Sequence, residues 1–332
     1  MNEHQNTRPI LFVDLFNVFT RQYAAHPDMT VNGSQSGGIV GTIKSIANLC
    51  NLIKPKAVYV IWESGGSSKR KAIMSEYKGN RNPSSKKLNR FYGEDIPDTE
   101  DNKVWQIEIL AKALKSLPVC QVYVKNCEGD DVIAYLQKRK FHNENCVIFS
   151  GDKDFYQLLD GRTKIYDPSK KILLNDKYVS LQFGITPQNF ALAKAICGDT
   201  SDNVPGVKGV GFKTLRKLFP ALGLNQDMTI EDIVSQSRAR SDEGKGIRSI
   251  GLSEDVIRRN WKLVYLDSSM LSSDQIEKIE YAIDNHNPKI EKLTLKNFAL
   301  EHGLRSLDVD SICVSFMCLT RLSFRPLGEQ VG

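Results

Sequence analysis

The segment 198–217 contains two aspartates three residues apart, Asp199 and Asp202, followed directly by a glycine-rich turn at 206–211. Aspartate carboxylates are ligands for divalent cations such as Mg²⁺. Glycines allow the backbone to approach a phosphate closely, and the amides at a helix N-terminus bind it. Cation and phosphate sites placed side by side are suited to cutting a nucleic acid.

Further acids follow the buried strands predicted at 10–14, 57–63, 121–124 and 146–149. Asp14, Glu63, Glu128 and Asp152 lie at these strand ends or a few residues beyond them. The alternation of strands and helices predicts an α/β fold: a mostly parallel central sheet with helices on both faces. Such sheets bind ligands at the carboxyl ends of their strands, and carboxylates gathered there require cations to offset their repulsion.

Taken singly, most of these acids are also compatible with a structural role. Asp130 and Asp131 lie in a predicted first helical turn, Asp152 could cap a helix, and Asp14 could be a turn residue. Asp199 differs, because it follows a predicted helix at 187–197, where the helix dipole disfavours negative charge. It therefore indicates a local cation, and the metal-site hypothesis depends on the whole set.

The segment 64–103 is biased in charge. Basic residues dominate it from Lys69 to Arg90, against the single acid Glu76, and acids dominate from Glu94 to Asp101. A charge run of this kind is often a mobile solvated loop. Its aromatic residues could also stack on bases, which favours a flexible cover that handles single-stranded backbone. These aromatic residues are Tyr77, Phe91 and Tyr92.

The glycine-rich turn is not a dinucleotide-binding fingerprint, because its glycine order is reversed and no predicted strand precedes it. The predicted helix that follows it has an apolar face, with the basic residues Lys213, Arg216 and Lys217 elsewhere. Contacts from such an element would position a duplex without reading its sequence. A plain helix–turn–helix packing element is the alternative.

Composition is that of an ordinary globular protein: 332 residues, 41% hydrophobic, 25% charged and a net charge of +6. No apolar run approaches the roughly 20 residues that span a bilayer. The polar N-terminus has no secretory pattern, and the seven cysteines form no C-x-x-C pair. We expect reduced thiols in a cytoplasmic protein. Towards the C-terminus we expect a loop at 237–253, helices at 255–266, 274–286 and 293–302, and an apolar segment 309–322 packed on the body.

Several spaced motifs, in order, resemble the flap endonuclease and 5′-3′ exonuclease family. This family includes free-standing bacteriophage enzymes, the phage RNase H type among them, and the 5′ nuclease domain of bacterial DNA polymerase I. The motifs are Val13-Asp14, Tyr77-Lys78-Gly79-Asn80-Arg81, Glu128-Gly129-Asp130-Asp131, Gly151-Asp152-Lys153-Asp154 and the segment 198–213. The resemblance implies a PIN-like 5′ nuclease core at 1–180, with a basic arch at about 64–103. It also implies a helical helix–three-turn–helix region at 181–332.

The resemblance also implies roles for individual residues. The first metal site would take Asp14, Glu63, Glu128, Asp130 and Asp131 as ligands, directly or through water, and the second Asp152, Asp154, Asp199 and Asp202. Lys78 and Arg81 would act catalytically by holding the scissile phosphate, with Arg70 as a further DNA-binding residue. Duplex binding would fall to Gly206, Lys208, Gly209, Gly211, Lys213, Arg216 and Lys217, with K⁺ held by hairpin carbonyls. Glu63 departs from the family's usual aspartate, which adds a methylene to the first site.

These features together predict a metal-dependent 5′-3′ exonuclease or flap endonuclease that uses two or more Mg²⁺ ions, with Mn²⁺ as a substitute. None of the five histidines lies in a motif, which favours Mg²⁺ over zinc. Its expected partners are DNA with a 5′ flap or single-stranded 5′ end, RNA–DNA hybrids, and replisome or single-strand-binding proteins. We expect a monomer that acts in DNA replication in the cytoplasm, that of the host for a phage protein, without membrane attachment.

Two alternatives remain open at the level of sequence. Glu63 is the one hint of a DNA-binding protein of the same fold with weak or lost catalysis. A toxin-like ribonuclease with a related acidic sheet rim would need neither the basic insertion nor the glycine-rich turn, and both features argue against it.

Overall fold

The structure, a computed structural model, describes residues 8–80 and 100–320. Its centre is a six-stranded sheet in the order β3-β2-β1-β4-β5-β6, in which only β6 is antiparallel to its neighbour. A separate two-stranded ribbon joins β7 and β8. The strands are β1 (Ile10–Asp14), β2 (Ala57–Ser64), β3 (Cys120–Lys125), β4 (Cys146–Phe149), β5 (Thr163–Asp167), β6 (Ile172–Leu174), β7 (Gly198–Asp199) and β8 (Val204–Pro205).

Helices cover both faces of this sheet, which confirms the predicted fold class. The α-helices are α1 (Leu15–Ala25), α2 (Gly37–Ile53), α3 (Ser68–Ile73), α4 (Glu100–Leu114), α5 (Gly129–Tyr135), α6 (Asp176–Phe183), α7 (Pro187–Cys197), α8 (Phe212–Leu218), α9 (Ile230–Ala239), α10 (Lys245–Leu252), α11 (Glu254–Val264), α12 (Ser273–Asp284), α13 (Lys292–Glu301) and α14 (Val309–Thr320). A π-helical turn, Leu136–Lys140, extends α5, and 3₁₀ turns include Lys153–Leu158 after β4.

The residues of β1 form a central strand because their side chains are buried on both faces of the sheet. Leu11 and Val13 face a core built with α1, α2 and α4, whereas Ile10 and Phe12 face a second core on the other side of the sheet. Successive side chains of a strand point to opposite faces, so a strand buried on both faces is an uninterrupted apolar run. The polar residue Asp14 follows where this burial ends.

A third core holds the helices from α7 to α11 together, and it overturns one prediction. The segment 237–253 was expected to be a loop, but it contains the end of α9 and all of α10. Ile247 and Ile250 are both fully buried there. These two apolar side chains, three residues apart on one helical face, outweigh the polar composition of the segment.

The described C-terminal helices return to the sheet. Ile279 and Ile283 of α12 belong to the core that contains Phe12, and Phe316 of α14 is buried in the core that contains Val13. The predicted packing of the segment that begins at Val309 is thereby confirmed as far as Thr320. The division of the chain at residue 180 stays a prediction.

All seven cysteines are free thiols, as expected. Within residues 8–80 and 100–320, no helix combines the length and the apolar character that crossing a bilayer requires.

Candidate active site

The carboxyl ends of the parallel strands form a cleft of about 680 Å³. Asp14 ends β1, Glu63 lies at the end of the adjacent β2, and Asp152 follows β4. The first turn of α5, after β3, adds Asp130. Parallel register brings strand ends to one edge of the sheet, so acids far apart in sequence line one cleft.

Local hydrogen bonds hold these side chains in place. The hydroxyl of Ser150 donates to Oδ2 of Asp14 at 2.7 Å, and the backbone amide of Gly129 donates to Oε2 of Glu63 at 3.1 Å. Oδ1 of Asn17 accepts from the amide of Gly151 at 2.9 Å, which ties α1 to the loop after β4. Ser150 and Asn17 lie within three residues of Asp152 and Asp14, and this proximity to predicted acids is the sequence signal for their role.

The cleft accumulates negative charge in a buried environment. Burial raises the pKa of Asp14 to about 7 against the lowering effect of the Ser150 hydrogen bond, and the neighbouring charges of Asp152 and Glu63 contribute to the rise. Burial, followed by the charges of Asp152 and Asp14, raises the pKa of Asp130 well above its ordinary value. A bound divalent cation would relieve this repulsion, and an all-oxygen ligand set fits Mg²⁺.

A second acidic group lies beside the cleft. Asp154, Asp199 and Asp202 each offer a carboxylate oxygen, and these oxygens lie within 4.8 Å of one another. Asp154 is in the 3₁₀ turn after β4, whereas Asp199 and Asp202 are held by the tight ribbon of β7 and β8. We call these three residues the α7-end cluster.

Tyr77 joins the two acidic regions. Its hydroxyl lies 3.2 Å from Oε2 of Glu128 and 3.2 Å from Oδ2 of Asp202. The side chain is only 4% exposed, because Tyr77 is part of the core around α7. The interpretation of Tyr77 as an exposed face for stacking bases is therefore wrong.

Lys194 is a further residue of this region that the sequence motifs did not indicate. Its Nζ donates to Oδ2 of Asp199 at 2.6 Å and also to Oδ1 of Asp154. Burial alone would raise the pKa of Asp199, but Lys194 and Ser201 lower it to about 2. The cation predicted near Asp199 is thus supplied by the chain itself. A lone lysine within the apolar sequence of α7 was the signal that could have identified it.

Two predicted site residues pair with each other away from the cleft. Nη1 and Nη2 of Arg70 donate to the two carboxylate oxygens of Asp131 at 2.5 and 2.8 Å, and Nε donates to the carbonyl of Leu263. Arg70 is 1% exposed and Asp131 is fully buried. The structure therefore corrects both predictions: Arg70 is not available to contact DNA, and Asp131 is committed to Arg70.

Helical geometry explains why Asp130 and Asp131 differ. Adjacent residues on a helix point about 100° apart, so the two carboxylates cannot serve the same face. Asp130 lines the cleft, whereas Asp131 points inward to Arg70 on α3. The sequence motif alone did not distinguish them.

Lys78 lies at the rim of the cleft, with its Nζ 2.8 Å from Oε1 of Glu128. Its backbone has a positive φ of 56°, and its amide donates to the carbonyl of Asp202 at 2.9 Å. Burial lowers the pKa of Lys78, but Glu128 and Asp130 more than offset this and raise it. Arg81 and the remainder of the basic insertion up to residue 99 lie outside the described residues.

The glycine-rich turn joins β8 to α8. Val207 and Val210 are buried, and the amide of Val207 donates to the carbonyl of Ile196 at 2.7 Å. A side chain at Gly206 would lie 2.1 Å from the carbonyl oxygen of Cys197, so close packing requires this glycine. Gly209, at φ 79°, is in the left-handed region, and Gly211 precedes α8. The basic residues Lys208, Lys213, Arg216 and Lys217 are all exposed on this element.

Comparison with known proteins decides the family. The model of a family described as "5′-3′ exonuclease, N-terminal resolvase-like domain" matches residues 9–184. The chain belongs to this 5′-3′ exonuclease family. The match confirms the resemblance noted in the sequence.

Curated relatives agree with this assignment. The 5′-3′ exonuclease of Buchnera aphidicola (Schizaphis graminum) is 31% identical over 210 residues, which cover 62% of this chain and 68% of that protein. The 5′-3′ exonuclease of Aquifex aeolicus is 27% identical over 297 residues, covering 89% and 92%. DNA polymerase I of Pseudomonas aeruginosa is 29% identical over 217 residues, 65% of this chain but 22% of the polymerase.

Solved structures share the fold. The T5 5′-exonuclease with zinc ions bound has a TM-score of 0.65 at 22% identity, covering 89% of this chain and all of that one. Human GEN1 in complex with Holliday junction DNA has a TM-score of 0.56 at 12% identity, covering 96% and 75%. The chain is thus a nuclease of the 5′-3′ exonuclease family, and the alternative of lost catalysis is not favoured.

Proposed function

We propose that this 5′-3′ exonuclease is a structure-specific, Mg²⁺-dependent 5′ nuclease. It hydrolyses phosphodiesters in DNA with a 5′ flap or a single-stranded 5′ end, and in RNA primers of RNA–DNA hybrids during replication. The observation that carries this proposal is one cleft lined by Asp14, Glu63, Asp130 and Asp152, with the ammonium of Lys78 at its rim. The carboxylates that would bind metal and the ammonium that would bind phosphate then surround one reacting phosphodiester.

Asp14, Glu63 and Asp130, with Glu128, would hold one metal ion, and Asp152 with the α7-end cluster would hold the second. When bound, Mg²⁺ supplies an activated water and neutralises charge on the phosphate and the leaving oxygen, and Mn²⁺ substitutes. Ser150 and the amide of Gly129 keep Asp14 and Glu63 oriented towards the cleft. Lys78 would hold a phosphate oxygen, because its ammonium already lies among the acids.

Duplex binding would fall to the glycine-rich turn and α8. Lys208, Lys213, Arg216 and Lys217 are exposed there, and phosphate contacts of this kind position a duplex whatever its sequence. A K⁺ ion held by backbone carbonyls of the same turn is part of the proposal. Arg81 is proposed to assist Lys78, and the basic insertion to cover single-stranded DNA.

The free cysteines support a reducing compartment, and we place the enzyme in the cytoplasm, that of the host for a phage protein. We further propose that it acts as a monomer alongside replisome or single-strand-binding proteins.

The test is cleavage of labelled 5′-flap substrates, all-DNA and RNA-primed, with Mg²⁺ and with chelator. We expect Mg²⁺-dependent products from both substrates and a steep loss of binding with salt. A blunt duplex of the same sequence is the matched control and should be a poorer substrate. DNA binding without any Mg²⁺-dependent product would contradict the proposal.

A further inference from the structure

Lys194 makes the α7-end cluster different from an ordinary metal site. The ligand oxygens of Asp154, Asp199 and Asp202 lie within 4.8 Å of one another, and the Lys194 ammonium contacts the first two of these residues. The lysine is only 6% exposed. The chain thus carries its own cation within a group of carboxylates suited to a divalent ion.

This arrangement is built into the packing of α7. The helix is buried along most of its length and packs against the 3₁₀ turn that carries Asp154 and against α11. Lys194 lies five residues before Asp199, so one helix end presents both the cation and one of its partners. The backbone of Lys194 is held firmly, whereas its methylene stem retains rotatable bonds.

An ammonium and a divalent ion compete for these oxygens. Mg²⁺ requires carboxylate oxygens at about 2.0–2.1 Å in near-octahedral geometry. A lysine ammonium donating to the same oxygens would then lie a few ångströms from the ion, where like charges repel strongly in a buried site. An ion can enter fully only if the Lys194 side chain moves away.

We propose that Lys194 is a positioning residue that holds Asp154 and Asp199 together as an internal counter-ion and is displaced when a divalent cation binds the α7-end cluster. The proposal rests on the proposed function, since it takes this cluster to be the second metal site. It follows that Lys194 weakens metal binding at this cluster while stabilising the metal-free protein.

The opposite role makes the opposite prediction. If Lys194 stayed in place and oriented Asp154 and Asp199 for the ion, its removal would weaken metal binding. The sign of the change in affinity therefore separates the two roles, and damage to the fold would not produce tighter binding.

The experiment is Mn²⁺ titration calorimetry on the full-length protein without DNA, together with thermal melting in chelator and in Mn²⁺. In Lys194→Met we expect the weaker Mn²⁺ site to tighten by about tenfold or more, because the competing charge is gone. Its melting temperature should fall in chelator and recover in Mn²⁺. Lys194→Arg retains a cation and should bind Mn²⁺ as the wild type does.

Lys138→Met is the matched control. Lys138 is also a largely buried lysine, but its ammonium donates to the carbonyl of Leu266 at 2.8 Å rather than to a carboxylate. Its removal should lower the melting temperature in chelator and in Mn²⁺ alike, with unchanged Mn²⁺ affinity.

Equal or weaker Mn²⁺ binding in Lys194→Met would overturn this proposal alone. So would tighter binding in Lys194→Arg to the same extent as in Lys194→Met. If no variant and no wild-type protein bound Mn²⁺, the metal centre of the proposed function would fall together with this inference.

Discussion

The strand-end cleft and the α7-end cluster gather the same residue type but treat its charge differently. In the cleft, burial and mutual repulsion raise the pKa of Asp14 to about 7. The cluster is divided: Lys194 and Ser201 outweigh burial at Asp199 and lower its pKa to about 2, whereas burial outweighs Lys194 at Asp154 and raises its pKa to about 7. The cleft has a cation from the chain, Lys78, only at its rim, whereas Lys194 bonds directly to two of the three acids of the cluster.

The pair of Arg70 and Asp131 extends this comparison. It is also an acid compensated by an internal cation, but here both carboxylate oxygens of Asp131 accept from the Arg70 guanidinium, which also lies 3.4 Å from Glu128. An internal cation can therefore be a permanent part of the fold or, as we propose for Lys194, a replaceable one. The Arg70 pair is bidentate and lies outside the cleft lining, whereas Lys194 contacts two acids of a group whose oxygens lie within 4.8 Å of one another.

The largest expected effect is on the cleft. Asp152→Asn should lower the cleavage rate by more than about a hundredfold, since even groups that only support metal ligands cost ten- to a hundredfold. Affinity for flap DNA in chelator should stay nearly unchanged, because phosphate contacts dominate binding. Single-turnover cleavage and fluorescence anisotropy measure the two quantities. Normal turnover would remove Asp152 from the metal site.

The next effect concerns the permanent pair. Arg70→Met leaves the charge of Asp131 buried without its partner and should lower the free energy of unfolding by about 3 kcal/mol. Urea denaturation measures this. The double variant Arg70→Met with Asp131→Leu should recover much of the loss, because the charge of Asp131 is removed as well. Equal stability of single and double variants would show that the pair acts through packing and not through charge.

A smaller effect is expected from the cation at the cleft rim. Lys78→Ala should slow single-turnover cleavage by about ten- to a hundredfold, by removal of one donor to the reacting phosphate. The dissociation constant for DNA should change much less. Lys170→Ala is the control, because the exposed Lys170 pairs with Asp167 outside the cleft lining and its removal should leave the rate unchanged. A loss confined to affinity would contradict the assigned role of Lys78.

The smallest expected effect is on the pH dependence of stability, which the charge of the cleft acids influences. It is measured in chelator. Asp14 has a raised pKa in the folded state, so the folded chain binds more protons than the unfolded chain between pH 4 and 7. Stability contributed by this group is therefore present at low pH and is lost as pH rises through about 7. Asp14→Asn should match the wild type near pH 5 and exceed its unfolding free energy by about 1–2 kcal/mol at pH 8.

The difference between the two proteins reports the coupled titration of the cleft acids, because removal of the Asp14 charge also changes the pKa of Asp130. Denaturation of wild type and Asp14→Asn at several pH values measures it. A stability difference that does not change with pH would mean that the cleft acids are not in conflict, and the contrast with the α7-end cluster would then be lost.

The sequence predicted the sheet and its acidic edge well, for a local reason. Strand β1 is an apolar run that ends in an acid, and this pattern by itself places Asp14 at a strand end. Parallel topology then brings Asp14, Glu63 and Asp152 to the same edge. The prediction of a loop at 237–253 was wrong because the few apolar residues of this segment pack in the core, whereas its many polar residues dominate its composition.

Sequence alone thus determined which edge of the sheet carries the acids, because strand ends and apolar runs are local properties. Only the tertiary structure decided which cation compensates which acid. Asp131 meets Arg70 across 61 residues, and Asp154 meets Lys194 across 40. A buried carboxylate pairs with whichever cation the packing of separate helices brings within reach, and no local pattern encodes that approach.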